Sequence, residues 1–315
     1  MRAHSRLAAI AALLVTIALA PTAGHEAGEW STPSNLGDIV NSADGDFFSA
    51  VSKDGLSLYF TSARPGGYGG FDIYVSQRAS VAAPWDGPQN LGPTINSPYD
   101  EGAVNLTIDG HTMFFSSNRP GGFGGGDLYA SHRHNKRDDF GWQPAENLGS
   151  AVNTSANESG PAMFEDDATG AITLLFDSSR TDGPGPLADN PAHTGNDIYS
   201  STILPDGSFG PGTLVAELST PYFDRKPAVS RDGLTMVFSS NRPGGLGNLD
   251  LWASTRVTTS EPWSPPVNLG STVNSGNNDA GPALSFNGLT LYFQSDRPGG
   301  LGAYDLYVIT RQKRP

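Results

Sequence analysis

Eight residues ahead of a turn Asp or Asn, an acid stands five times in this chain: Asp46, Glu101, Glu158, Asp224 and Asp279, ahead of Asp54, Asp109, Asp166, Asp232 and Asn287. Carboxylates do general acid–base work and hold hard cations. Five arginines keep step with them, Arg64, Arg119, Arg180, Arg242 and Arg297, at intervals of 55, 61, 62 and 55 residues. A second acid follows each arginine: Asp72, Asp127, Asp197, Asp250 and Asp305. Three chemistries are open to such a set. The acids can accept loop N–H groups and arginine forks as a scaffold, hold a cation together, or serve in a pair as the acid and base of a hydrolase.

The elements that position them are equally regular. Asp54-Gly55 leads into the apolar run 56–62, then Arg64-Pro65-Gly66-Gly67 and Asp72-Ile73-Tyr74, and four further copies end at Tyr129, Tyr199, Trp252 and Tyr307. Asp-Gly between alternating apolar runs predicts a hairpin. Each unit therefore parses as strand A (48–52 in the first copy), strand B (56–62), the B–C loop (64–70) and strand C (72–77). Strand D follows, carried by a phrase of the type Trp85…Asn90-Leu91-Gly92. That phrase recurs at Trp30, Trp142 and Trp263, with Phe209 in the corresponding place of the third copy. Five repeats of four antiparallel strands describe an all-β, five-bladed β-propeller over residues 30–315. The last copy lacks a tryptophan phrase and the first phrase precedes any blade, so the N-terminal strand is expected to complete the last blade and close the ring. Deleting residues 25–40 should then destabilise the fold strongly.

On this fold strand A is innermost, so the five acids should ring one mouth of the central channel as a ligand-binding candidate. Carboxylates about 8 Å apart would repel by roughly 0.5 to 2 kcal/mol per neighbouring pair, a strain that arginine pairing or a bound cation would relieve. Ca2+ suits oxygen ligands, though ring positions lack the clustered spacing of a dedicated calcium loop. The same face should carry the five arginines and the loop tips Tyr68, Phe123, Leu246 and Leu301, a candidate recognition surface. The tryptophans should pack between blades. The third copy breaks the symmetry: Pro-Gly-Gly is missing after Arg180, and residues 181–196, with His193 among them, form a longer B–C connection that fits a lid or partner loop or a tolerated variation in loop length. His132 and His134 sit in a polar stretch with Arg133 and Lys136 and read as a solvated loop rather than a zinc site. The glycine runs 66–70 and 121–126 join strands instead of opening a helix, so they are not phosphate loops.

The phrase Asp-Gly…Leu-Tyr-Phe-Thr-Ser-x-Arg-Pro-Gly-Gly…Asp-Ile-Tyr resembles the WD40-like (PD40) repeat of the TolB-like β-propeller family, over nearly all of residues 30–311. The resemblance implies a propeller that serves as a binding platform in the bacterial envelope. Asn287 in place of the turn aspartate and the irregular third copy are its departures from that pattern.

Residues 1–24, with Arg2, His4 and Arg6 ahead of the apolar run 7–20, read as an export signal, and residues 25–29 as a flexible lead. The chain has 19 basic and 32 acidic residues, a net charge of −13, and no cysteine. That balance disfavours nucleic acid and anionic membranes as partners, and outside the signal no membrane span is expected. The expectation is thus a periplasmic or secreted monomer without catalytic residues, metal or cofactor. It would bind an envelope or extracellular protein, peptide or glycan through its top-face loops. The alternative is a five-bladed glycoside hydrolase using funnel carboxylates such as Asp46, Glu101, Glu158 or Asp279. Such an enzyme needs two carboxyls in unequal environments, and the symmetric repetition of the acids speaks against it.

Overall fold

A computed structural model describes residues 28–167, 169–180 and 195–312. The proposed export signal, most of the lead, His193 and nearly all of the 181–196 connection lie outside the described residues. Among those described, the strands form five four-stranded antiparallel sheets and no helix. The N-terminal β1 (Ser34–Asn35) comes first. Blade one is β2 (Asp46–Val51), β3 (Ser57–Ser62), β4 (Asp72–Gln77) and β5 (Gln89–Asn90). Blade two is β6 (Glu101–Leu106), β7 (Thr112–Ser117), β8 (Asp127–His132) and β9 (Glu146–Asn147). Blade three is β10 (Glu158–Glu165), β11 (Ile172–Ser178), β12 (Asp197–Ile203) and β13 (Thr213–Leu214). Blade four is β14 (Asp224–Val229), β15 (Thr235–Ser240), β16 (Asp250–Thr255) and β17 (Val267–Asn268). Blade five is β18 (Asp279–Leu284), β19 (Thr290–Ser295) and β20 (Asp305–Thr310), completed by β1.

Closure works as the spare tryptophan phrase implied. Ser34 and Asn35 pair with Val308 and Tyr307, Leu36 N–H donates to Leu306 C=O at 3.0 Å, and Asn35 Nδ2 donates to Asp305 at 2.8 Å. Strand B of each blade is almost wholly buried because neighbouring blades cover both its faces; β3 has no residue that is not. Each tryptophan wedges into the seam with the preceding blade, as Trp142 does beside Tyr59, ring centroids 6.3 Å apart.

A shared irregularity bends the innermost strands. Every strand A slips register once, between Phe47 and Ala50 in β2 and at matching places in β6, β10, β14 and β18. The bulged residue is in the left-handed region in all five: Gly160 and Gly281 in blades three and five, but Phe48 (φ 46°), Ala103 (φ 55°) and Lys226 (φ 54°) elsewhere. Left-handed backbone is disfavoured for residues with a Cβ, so those three are held there by their surroundings.

Candidate functional site

The five acids of the ring are each tied into their own loops. Asp46 accepts Arg64 Nη2 at 2.8 Å on one oxygen, and Ser42 N–H at 2.6 Å and Ser42 Oγ at 2.9 Å on the other. Glu101 takes Ser97, Ser117 Oγ and Arg119; Glu158 takes Thr154, Ser178 Oγ and Arg180. Asp224 is closed by Thr220 and Arg242, and Asp279 by Ser275, Ser295 and Arg297. All five acids are buried. Each arginine also donates to a carbonyl of the loop entering its blade, as Arg64 does to Val40 at 2.7 Å, and lies over the aromatic rings of strands B and C, 5.2 Å from Phe60 and 5.0 Å from Tyr74. Every carboxylate thus has its own cation, which removes the mutual repulsion. No group of three or more His, Asp or Glu is placed to share a metal ion among the described residues.

The strand-C aspartates organise the B–C loops. Asp72 accepts the N–H groups of Tyr68 at 2.6 Å and Gly69 at 3.2 Å, plus Asn90 Nδ2 at 3.1 Å. Asp127, Asp250 and Asp305 repeat the pattern under Phe123, Leu246 and Leu301. The four tips stand about half exposed. Behind each tip the loop backbone lies directly on the next blade: a Cβ on Gly124 would fall 1.8 Å from Ala156 C=O, so only glycine fits. Asp197 is buried at the same place in blade three.

A second arginine set escapes a reading built on the first. Arg78, Arg133, Arg256 and Arg311 each follow a strand-C aspartate by six residues. Each donates Nε to the turn glycine carbonyl of its own blade at 2.7 to 2.8 Å and covers a tryptophan ring at 4.1 to 4.4 Å. Arg133 does more. With Tyr59 and Asp139 it forms a buried cluster joining blades one and two: Tyr59 Oη reaches Asp139 at 2.5 Å and Arg133 Nη1 reaches it at 2.7 Å, with Ser57 and Gln77 on the other oxygen. Burial works against the Asp139 carboxylate, but these four donors outweigh it and hold its pKa below the ordinary value. Burial, with Asp139 beside it, pushes the Tyr59 phenol well up. Among the described residues, His132 and His134 bond to Thr112 and Gln143 on an exposed stretch.

The channel is where the blades differ. It opens on the face of the B–C loops into a funnel of about 470 Å3, walled by Phe47, Phe71, Leu249 and Tyr304 and bordered by Asp100, Glu101, Glu158, Ser159 and Arg225. Phe47 packs edge-on against Phe71 at 5.6 Å and tilts onto Tyr304 at 5.4 Å. Asp100 is only partly buried; it accepts Phe71 N–H at 3.1 Å and Asn118 Nδ2 at 3.0 Å. Next to the funnel, and sharing Phe48, Ala103 and Lys226 with it, lies a small pocket of about 20 Å3. There the Lys226 ammonium sits 4.0 Å over the Phe48 ring and donates to Ser159 Oγ at 2.6 Å, while its backbone N–H donates to Asp177 at 2.9 Å. Burial pushes the Lys226 ammonium down to about 7; Asp177 opposes the fall and Arg225 adds to it. The Tyr304 phenol is pushed up by burial and by Asp296, against Arg225.

No protein-family model matches the chain, and no curated protein matches its sequence. Solved structures do match. The catalytic domain of a GH62 α-L-arabinofuranosidase from Coprinopsis cinerea superposes with a TM-score of 0.61 at 14% identity, over 91% of this chain and 98% of that one. An endo-arabinase from Bacteroides thetaiotaomicron gives 0.57 at 15% identity over 90% and 98%, and a thermostable family-43 glycoside hydrolase 0.58 at 14% over 86% and 91%. A putative TolB from Agrobacterium tumefaciens also matches, at 0.49 and 18% identity over 85% and 78%. At these identities the likeness shows the five-bladed fold. It also corrects the expectation of a non-enzymatic binding propeller: the matching structures are mainly glycoside hydrolases, GH62 and GH43 arabinofuranosidases and an arabinase, which favours the hydrolase alternative over binding alone.

Proposed function

We propose that this chain is an exported glycoside hydrolase, built on WD40-like repeats, whose active site is the funnel of the B–C loop face. The observation that carries the reading is an aromatic-walled cavity of about 470 Å3 with an acid on its border, Asp100, that stands outside the arginine-paired ring to which the other two bordering acids, Glu101 and Glu158, belong. Hydrolysis requires one carboxyl to protonate the leaving oxygen and a second to activate water or attack the sugar. Asp100 stands outside the repeated acid–arginine pairing and is partly exposed, so the base or nucleophile role is assigned to it. The aromatic rings of Phe47, Phe71 and Tyr304 offer flat apolar faces to the sugar.

The test is a hydrolysis screen with aryl α-L-arabinofuranosides, arabinan and a panel of other aryl glycosides and polysaccharides, read as released reducing sugar. Asp100→Asn should lower kcat by about 100-fold or more, the usual weight of a general acid or base, without moving the melting temperature. Absence of hydrolysis across the panel, or a fully active Asp100→Asn, overturns the proposal.

A further inference from the structure

We infer that the funnel floor grips the carboxylate of an acidic sugar through Arg225 and Lys226, so that the substrate of the proposed hydrolase is a uronate-bearing glycan. The inference rests on reading the funnel as a glycan site. Counting one and two residues past each ring acid gives Phe47-Phe48, Gly102-Ala103, Ser159-Gly160, Arg225-Lys226 and Ala280-Gly281, so only blade four puts charge on the channel wall at these places.

Neither cation makes an ion pair among the described residues. Among the same residues the Nε of Arg225 is buried without an acceptor. Buried donors in native proteins are ordinarily paired, and an orphan in a cavity wall calls for an acceptor from outside the chain. The guanidinium lies 6.0 Å from the Phe48 ring, on the side of the funnel. Lys226 uses one of its three ammonium protons on Ser159 Oγ and stacks on Phe48, which leaves donors for a ligand. The acids nearby are committed: Glu101 and Glu158 to Arg119 and Arg180, Asp177 to the Lys226 backbone N–H and Asn196, and Asp100 to Phe71 N–H and Asn118. A guanidinium fork beside an ammonium and a hydroxyl matches a planar carboxylate. The aromatic walls above fit the rest of a sugar ring rather than a bare inorganic anion.

The experiment is calorimetric titration of the full chain with D-galacturonate, D-glucuronate, the neutral sugars galactose and arabinose, and inorganic phosphate, repeated with Arg225→Gln and Lys226→Met. The uronates should bind at least about tenfold more tightly than the neutral sugars, and each variant should lose about tenfold or more for uronates while its affinity for neutral sugars stays level, as loss of a charge-assisted pair implies. Equal affinity for neutral sugars, unchanged uronate affinity in both variants, or tighter binding of phosphate overturns the inference. Melting curves of the variants separate lost binding from lost fold. The two proposals fail separately: uronate binding without hydrolysis of any glycan overturns only the hydrolase reading, and hydrolysis of neutral arabinan without uronate binding overturns only this one.

Discussion

Replacing Lys226 with methionine should stabilise the protein, and by an amount that depends on pH. Methionine keeps a similar stem length and the same strained backbone, so the substitution isolates the charge. Moving the ammonium from its ordinary 10.5 to about 7 corresponds, at about 1.4 kcal/mol per tenfold in proton affinity, to roughly 5 kcal/mol. The Phe48 ring at 4.0 Å returns about 2 kcal/mol for a desolvated cation, which leaves a swing of roughly 3 to 5 kcal/mol. The direction follows from proton counting. Below about pH 7 both folded and unfolded chains carry the charge and the full penalty stands; between about 7 and 10.5 only the unfolded chain holds the extra proton, so wild-type stability rises with pH. Urea midpoints of wild type and Lys226→Met at pH 6, 8 and 10 measure this, since other titrating groups cancel in the difference. The variant's advantage should be largest at pH 6 and should shrink toward pH 10. An advantage that is flat with pH, or that grows with it, refutes the reasoning.

Two further outcomes test the scaffold. Asp139→Asn strands the buried Arg133 guanidinium and should destabilise by about 3 to 5 kcal/mol at neutral pH. Because the Asp139 pKa is held below its ordinary 3.8, its contribution is present above that value and is lost as pH falls through the folded pKa. The gap between wild type and variant in urea melts should therefore close in acid, and a gap that widens there contradicts the assignment. Removing residues 28–40 leaves β20 as an open edge and Asp305 without Asn35; the truncated chain should melt far lower and aggregate, and an unchanged melting curve would refute closure by β1.

The blades were legible because their signals are local. Asp-Gly turns, an apolar strand B and Arg-Pro-Gly-Gly with a following Asp specify hairpins that repeat whatever their neighbours do. The direction in which the ring acids point was less open to reading, because strand position places a side chain at a channel mouth without saying which donors claim it. The signal existed: Ser42, Ser97, Thr154, Thr220 and Ser275 stand four residues ahead of the five acids, and a serine closes each strand B. Those hydroxyls, with the arginines, fold each carboxylate back into its loop. The strand-A bulges were hidden, since Phe48 and Lys226 are residues that ordinarily extend a strand, and only Gly160 and Gly281 hint that the backbone turns left-handed there. The Tyr59–Asp139–Arg133 cluster joins residues up to 80 apart in sequence, and nothing local announces such a meeting.

Lys226 carries two independent penalties at one position. It holds a backbone conformation for which two sister blades use glycine, and it buries an ammonium whose charge the surroundings disfavour. Its partner Phe48 is strained in the same way. A scaffold alone would have no use for either, because Gly160 and Gly281 show that the repeat closes without them. Strain of this kind persists where it serves a site, and a ligand carboxylate would lower the electrostatic part of it by restoring the charged form of the lysine. The residues that the five blades share therefore account for the stability of the ring, and the pair that blade four alone possesses accounts for what the funnel selects.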